Sequence, residues 1–73
     1  MTERLQAAAD VAHSAGFASV SMVQRKLGIG FVEARNLCQR LEDLGVFAPT
    51  VGSKARDILT AREETRRIIE GAA

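Results

Sequence analysis

The side chains best suited to chemistry lie on one face of a predicted helix in the middle of the chain. On a helical wheel, Val32, Asn36 and Gln39 lie opposite the apolar stripe of that helix. Asparagine and glutamine can bond adenine edges, arginine can bond guanine, and valine can contact a thymine methyl group. The pattern therefore predicts a face that reads bases in a DNA groove, made of Val32, Glu33, Arg35, Asn36, Gln39 and Arg40.

A second group of side chains is suited to phosphate. Charged and amide groups can contact the DNA backbone without reading sequence. For the predicted base-reading face, the alternative is an ordinary solvated helix surface. Glu33 and Asp43 favour that alternative because carboxylates are repelled by phosphates. The predicted backbone contacts are Gln24, Arg25, Lys26, Lys54 and Arg56.

Two isolated side chains, His13 and Cys38, are the remaining candidates for chemistry. Neither has a partner at metal-ligand spacing, and no nucleophile lies beside a base. His13 is expected on the surface, and Cys38 is expected to be a buried structural thiol. Gly28 and Gly30 follow a helix rather than a strand, which is not the dinucleotide-binding context. We therefore expect a binding module with no cofactor and no metal, rather than an enzyme.

The composition indicates one small domain without a strong charge. The chain has 73 residues and a formal net charge of +1. Nucleic-acid binders usually show a clear basic excess, so a basic surface here depends on how the charges are distributed. Six of the ten basic residues lie between Arg25 and Arg56. No apolar run could span a membrane, and the N-terminus does not resemble a signal peptide, so we expect a cytoplasmic protein.

The first predicted helix runs from Thr2, its expected N-cap, to about Ala15 and ends at Gly16. Phe17 is expected to fold back onto the core. The inward stripe of this helix is Leu5, Ala8, Ala9 and Ala12, with Val11 at its edge.

The second and third predicted helices are joined by a tight turn. Ser21 is expected to cap the second helix, with Gln24 completing a capping box, and Gly28 is expected to end it. The third helix ends at Gly45. Two helices joined in this way match a helix-turn-helix. The inward positions expected on the third helix are Phe31, Ala34, Leu37, Cys38, Leu41 and Leu44.

A predicted β-hairpin follows the third helix. The pattern indicates a strand at 46–48, a loop at 50–55 and a returning strand at 56–59, with residues 18–20 able to pair at the edge. Together with the three helices, this order predicts a mainly α winged helix-turn-helix domain over residues 1–59.

The last predicted helix belongs to residues 60–73, with Thr60 as its cap and Glu63 at the capping-box position. Ile68 and Ile69 are the only large members of its apolar stripe, and a helix of about 12 residues is marginal alone in water. The helix must therefore pack on the first helix or on the same helix of a second copy. We expect the homodimer, with Ile68 and Ile69 at the contact.

Residues 19–31, SVSMVQRKLGIGF, closely resemble the helix-turn segment of the gamma domain of FtsK-type DNA translocases. That family shows a similar Ser-x-x-x-Val-Gln-Arg-x-Leu-x-Ile-Gly-Tyr run. Residues 44–47 and 52–59 resemble the family's Gly-Val-Val strand and its Gly-Ser-Arg-Glu-Val-Leu wing. The resemblance covers roughly residues 5–59, and it implies a winged helix, double-stranded DNA as a partner and contact with a site-specific recombinase.

Three departures from the family pattern change what is expected of this chain. In the family, the recognition helix opens Tyr-Asn-Arg-Ala-Ala-Arg, and the domain reads G-rich sequences that orient the motor. Here Val32, Glu33 and Asn36 stand at the Asn and two Arg positions, so that preference is not expected. The chain has no motor, and the helix from Thr60 has no counterpart in the family pattern.

We therefore expect a small regulator, of transcription for example, or an accessory factor that binds double-stranded DNA with a sequence preference. The third helix would lie in the major groove, and the wing would lie on the backbone or in the minor groove. The rival interpretation is a winged-helix module that binds or inhibits proteins and does not touch DNA. Near-neutral charge favours the rival, whereas the clustered basic residues and the matching segment favour DNA.

Overall fold

Four helices build the fold, in the predicted order. The structure, a computed structural model, describes residues 2–49 and 55–72. The helices are α1 (Thr2–Ala15), α2 (Val20–Leu27), α3 (Phe31–Asp43) and α4 (Arg62–Ala72). α1 contacts each of the other three helices, and α2 packs on α3. α1 is therefore the element on which the helix-turn-helix pair and the last helix are both assembled.

α1 presents small apolar side chains to its neighbours. Thr2 is its first helical residue rather than its N-cap, and Val11 lies half-buried at the edge of the stripe. Gly16 ends the helix with a φ of 86°, a left-handed backbone conformation that favours glycine. The inward stripe is buried as predicted at Leu5, Ala8, Ala9 and Ala12.

The N-terminus of α2 corrects the predicted cap. Ser19, not Ser21, is the N-cap, and its hydroxyl accepts a hydrogen bond from the Met22 amide at 3.4 Å. Both serines are good capping residues, so local preference does not separate them. The long-range bridge between Ala18 and Arg56 holds the backbone extended immediately before Ser19, which sets where the helix begins.

The turn between α2 and α3 forms as predicted. Gly28 ends α2 with a φ of 64°, and its amide donates to the Gln24 carbonyl. Ile29 packs half-buried against the core. Gly30 is the N-cap of α3, and its carbonyl accepts a hydrogen bond from the Ala34 amide at 3.0 Å. This short connection holds α2 and α3 as a helix-turn-helix pair.

The predicted β-hairpin is not formed as a pair of strands. The part of the chain that the structure describes contains two isolated antiparallel bridges, Ala18 with Arg56 and Phe47 with Ile58. Residues 55–59 thus lie between residue 18 on one side and residues 46–48 on the other. Residue 56 exchanges two backbone hydrogen bonds with residue 18, and residues 57 and 59 form one each with residues 48 and 46. Each of these pairings is a single bridge, which is shorter than an ordinary strand of three or more residues. The predicted contact at residue 18 is present.

Of the three phenylalanines, only Phe47 lies in the core. Phe17 is 42% exposed and Phe31 is 53% exposed, so their predicted inward positions are wrong. Phe31 is the first residue of α3, and helical side chains lean toward the N-terminus, so its ring points past the start of the helix. Phe17 precedes the buried Ala18, and successive side chains of an extended segment point to opposite sides.

α4 packs on α1 of the same chain. Ile69 is 1% exposed and belongs to the core cluster, while Ile68 is half-buried against it. Of the two packing alternatives, the contacts seen are those within one chain. Ile69, predicted to contact a second copy, is instead enclosed by its own domain.

The start of α4 also differs from the prediction. The helix begins at Arg62, and the Ala61 carbonyl accepts a hydrogen bond from the Thr65 amide at 2.9 Å. Thr60 is therefore outside the helix and is not its cap. Its hydroxyl lies 2.6 Å from the hydroxyl of Thr65, which is fully buried and needs polar partners.

Candidate nucleic-acid interface

α3 separates an apolar face from a polar one. Its inner face is buried, as predicted, at Ala34, Leu37, Cys38 and Leu41. Its outer face comprises the exposed side chains of Val32, Arg35, Asn36, Gln39 and Arg40. The structure therefore brings most of the side chains predicted to read bases onto one surface, with Glu33 half-buried at the flank.

The predicted backbone contacts on α2 lie beside this face and are unequally exposed. Arg25 and Lys26 are exposed in the last turn, and the Arg25 Nε donates to the Ser21 carbonyl at 3.4 Å. Gln24 is half-buried and therefore less accessible than its two neighbours. Lys54, predicted to act from the wing, lies outside the described residues.

Four cations of this surface are not held by carboxylates. Arg25, Lys26, Arg35 and Arg40 take part in none of the ion pairs that join described residues. An exposed cation in this state can bind a phosphate without first breaking an internal ion pair. The arrangement is therefore suited to a polyanion.

Glu33, the acidic residue that disfavours DNA, forms an ion pair with Arg4 from α1. The pair is partly exposed, with 41% of the Glu33 side chain open to solvent. Arg4 offsets the negative charge at this edge of α3, and sequence reasoning did not include it in the candidate surface. The sequence showed only that Arg4 would be exposed in the first turn of α1. Its contact with Glu33 could not be predicted, because the two residues are far apart in the chain.

The other two carboxylates of α3 are held at its C-terminal end. The Gln39 side-chain amide donates to Glu42 at 2.6 Å and to Asp43 at 3.1 Å. Both donors of the Gln39 amide are thus engaged within α3. A base contact by Gln39 requires these bonds to be exchanged, whereas Asn36 has no such bond among the described residues.

Arg56 was predicted to contact DNA from the wing, and the structure corrects this. Its side chain is only 8% exposed, and its Nε lies 4.0 Å from Glu42 on α3. It also hydrogen-bonds the Cys38 thiol. Burial raises the pKa of that thiol, and the Arg56 charge opposes the shift with a smaller effect. Arg56 therefore joins the returning segment to α3, and Cys38 is the buried thiol that was predicted.

His13 lies against α4 rather than on open surface as predicted. Its Nε2 is 3.0 Å from the Thr65 hydroxyl, which donates its own proton to the Ala61 carbonyl at 2.9 Å. The imidazole is therefore the donor in its contact with Thr65. Burial lowers the pKa of His13, Arg62 acts in the same direction, and Asp10 opposes them. The role of His13 is to hold α4 on α1.

A groove of about 700 Å³ runs beside the polar face of α3. Val32 and Leu37 supply its apolar wall, and the remaining lining side chains are polar or charged. Of the two cationic lining residues, Arg4 is paired with Glu33, so Arg40 gives the groove its net positive charge beside the apolar strip. Its full lining is Arg4, Val32, Glu33, Asn36, Leu37 and Arg40.

The described ranges hold neither a metal-binding cluster nor a membrane-spanning helix. Between residues 2–49 and 55–72, no group of three or more His, Cys, Asp or Glu side chains is placed to hold a metal ion. None of the four helices is long and apolar enough to cross a membrane. The expectation that the chain needs no cofactor stays a prediction.

Comparison with known proteins identifies what the chain is similar to. A family model described as the FtsK gamma domain matches residues 2–61. The DNA translocase FtsK of Caldanaerobacter subterraneus subsp. tengcongensis is 40% identical over 68 residues, which are 93% of this chain and 10% of the relative. The Corynebacterium glutamicum protein of the same name is 42% identical over 92% of this chain and 7% of its own length. No solved structure matches.

The family model and the alignments end at different points relative to the last helix, and the family model ends at residue 61, before α4. The match to the Caldanaerobacter protein covers 68 of 73 residues, so it extends at least to Ile68, well into α4. Because the family model itself ends before α4, the prediction that this helix has no counterpart in the family pattern stays a prediction. The chain spans at most 10% of the length of these two relatives. The resemblance seen in residues 19–31 is confirmed over nearly the whole chain, which belongs to the FtsK gamma-domain family.

Proposed function

We propose that this domain binds double-stranded DNA through the outer face of α3 and the last turn of α2. The observation that carries the proposal is the state of the charges on this surface. Arg25, Lys26, Arg35 and Arg40 are exposed and outside every ion pair of the described residues. Each is able to neutralise a phosphate and release a counterion.

The placement of the helices supports the same function. α3 follows α2 through a short turn and presents an exposed polar face along its length, as the second helix of a helix-turn-helix does in the major groove. α2 then lies across the backbone, where Arg25 and Lys26 contact phosphates. The relatives are named DNA translocases, which favours DNA as the ligand. The motor activity of those much longer proteins is not part of the proposal.

The winged-helix architecture is a further part of the proposal. The two antiparallel bridges support it, because they place residues 55–59 beside residues 46–48, where a wing would begin and end. In this arrangement Lys54 contacts the backbone or the minor groove, while Arg56 has a structural role. The domain is proposed to have a binding role without catalysis, and the charge arrangement supports the binding part of that proposal.

A sequence preference and a regulatory or accessory role stay proposals, as do the two predicted protein partners. A recombinase partner rests on the family resemblance. A homodimer through α4 would have only the half-buried Ile68 of the two isoleucines to contact, because Ile69 is in the core. Sedimentation equilibrium on wild type and on Ile68→Glu tests it, since a dimer through this contact is weakened by the substitution.

The proposed function is tested by a salt titration with a random-sequence duplex. Fluorescence anisotropy gives the affinity at each salt concentration, and each phosphate neutralised contributes about −0.9 to the log–log slope. We expect a slope of about −2 to −4 from the four unpaired cations. A slope near zero, or no binding at low salt, contradicts the proposal.

One observation favours a second candidate function, a protein-binding module that does not touch DNA. Phe31 and Val32 are adjacent and are 53% and 69% exposed at the start of α3. Exposed neighbouring apolar side chains are typical of protein contacts. Absence of duplex binding together with capture of a recombinase, abolished in Phe31→Ser, would favour this alternative.

A further inference from the structure

The most exposed large apolar side chain of the described residues is Val32, at 69%. It lies on the outer face of α3, so neither the core nor a helix–helix contact uses it. A single exposed apolar residue is ordinary on a protein surface. What distinguishes Val32 is its setting beside Asn36 and Arg40, in a groove whose charge suits a polyanion.

The groove offers two kinds of recognition side by side. The apolar feature of a base pair in the major groove is the thymine C5-methyl group, and adenine presents an acceptor and a donor that match an amide. Val32 can supply the first contact and Asn36 the second. Glu33, which would otherwise favour the cytosine amine, is held by Arg4.

The spacing of the two residues fits consecutive base pairs. Val32 and Asn36 are four positions apart on α3, so they lie about 6 Å apart along the helix axis and on the same face. Base pairs follow each other at about 3.4 Å. The two side chains can therefore reach two adjacent base pairs, or two base pairs with one base pair between them.

We propose that the first two turns of α3 select A·T base pairs, with Val32 against a thymine methyl group and Asn36 on an adenine edge. The inference rests on the proposed function and specifies its DNA sequence class. It assigns the specificity to residues in the N-terminal half of the helix, while Arg35 and Arg40 supply affinity for phosphate.

The test uses base analogues that remove single groups without changing base pairing. A duplex is first selected from a random pool with the wild-type chain. Each thymine is then replaced by deoxyuridine, which lacks the methyl group, and each adenine by 7-deazaadenine, which lacks the N7 acceptor. We expect one deoxyuridine position to weaken wild-type binding by about fourfold, the value of one buried methyl group.

Variants assign each effect to its side chain. Val32→Ala should bind the thymine and deoxyuridine duplexes equally, and Asn36→Ala should no longer distinguish adenine from 7-deazaadenine. The matched control is Arg35→Ala, which should bind more weakly but keep both discriminations. All three side chains are exposed, so the substitutions leave the core intact.

The outcomes separate the inference from the function on which it rests. Equal wild-type binding to thymine and deoxyuridine at every position overturns the A·T assignment while leaving duplex binding in place. Discrimination that persists in Val32→Ala also overturns it. If the wild type binds no duplex in low salt, the proposed function has failed, and the inference fails with it.

Discussion

The α1–α4 pair and the α2–α3 pair both carry charges of each sign, but they use them differently. On α4, Arg62 lies 3.8 Å from Asp10 and donates to Ser14 at 3.1 Å, and Arg67 pairs with Glu63 at 3.8 Å. On α2 and α3, the carboxylates have partners within the protein, whereas four cations are outside every ion pair of the described residues. Near-neutral net charge therefore conceals a concentration of unpaired cations on α2 and α3, four against the single Arg66 on α4 among the described residues.

The two pairs also differ in the polar groups that they bury. Between α1 and α4, Thr65 is fully buried and bonded to His13, Thr60 and Ala61. These bonds fix the position of α4 through donors and acceptors within the chain. We infer from the contrast that α4 is a structural cap and that α2 and α3 carry the binding surface. Substitutions on either side of the domain test this division of roles.

Removing the main apolar contact of α4 should have the strongest consequence, a decrease in stability. Ile69→Ala is expected to lower the free energy of unfolding by about 2–5 kcal/mol, since it leaves a cavity in the core. Ile68→Ala, at a half-buried position, is the matched control and should cost clearly less. Urea denaturation measures both. Equal decreases that vanish at low protein concentration would instead indicate that α4 is held by a second copy.

Charge removal on the two sides should separate them in a DNA-binding assay. Arg35→Ala with Arg40→Ala should weaken duplex binding and reduce the magnitude of the salt slope by about 0.9 for each phosphate that is no longer neutralised. The control replaces Arg62 and Arg67 on α4 by alanine and should leave the slope unchanged. If the control changes the slope as much, the binding surface is not confined to α2 and α3.

The ion pair between Arg4 and Glu33 should adjust affinity by a smaller amount. Glu33→Gln removes a negative charge near the proposed phosphate path, so duplex binding should become tighter, by less than about 1 kcal/mol for an exposed group. Arg4→Ala should weaken binding, because it leaves Glu33 uncompensated. Fluorescence anisotropy at fixed salt measures both changes. Weaker binding by Glu33→Gln would mean that Glu33 contacts a base directly.

The weakest effect concerns pH and belongs to the α1–α4 side. The pKa of His13 is lowered in the folded chain, so the unfolded chain binds more protons below the ordinary value of 6.5. Stability from this group is complete above pH 6.5 and declines as pH falls from there toward the folded pKa. His13→Gln keeps a donor for Thr65 and should remove this part of the decline. Urea midpoints measured across this range, compared between the two proteins, provide the test.

Local sequence signals were sufficient to predict the helices and the family. Apolar periodicity predicted all four helices, and Gly16 and Gly28 marked two of their ends through left-handed conformations. The outer face of α3 followed from the same periodicity, because the side opposite a buried stripe must face solvent. Residues 19–31 indicated the family because a helix-turn segment keeps its spacing in relatives.

What the sequence could not predict depends on contacts between distant residues. Arg56 was assigned to DNA by its charge, and only the fold brings it within reach of Glu42 and Cys38. The hairpin was predicted from two short apolar runs, and the described residues form only single bridges at Phe47 and at the predicted edge residue Ala18. His13 had no local partner, since Thr65 belongs to the last helix. In each case a tertiary contact outweighed a local preference.

An NMR titration would locate the duplex-binding surface residue by residue and so test whether α2 and α3 form it. Amide chemical shifts of the 7.9 kDa chain can be followed while a duplex is added at low salt. We expect the largest chemical-shift changes at Arg25 and Lys26 and from Val32 to Arg40. The amide shifts of α4 should stay essentially unchanged. Changes centred on α4, or none anywhere in the chain, would contradict this assignment.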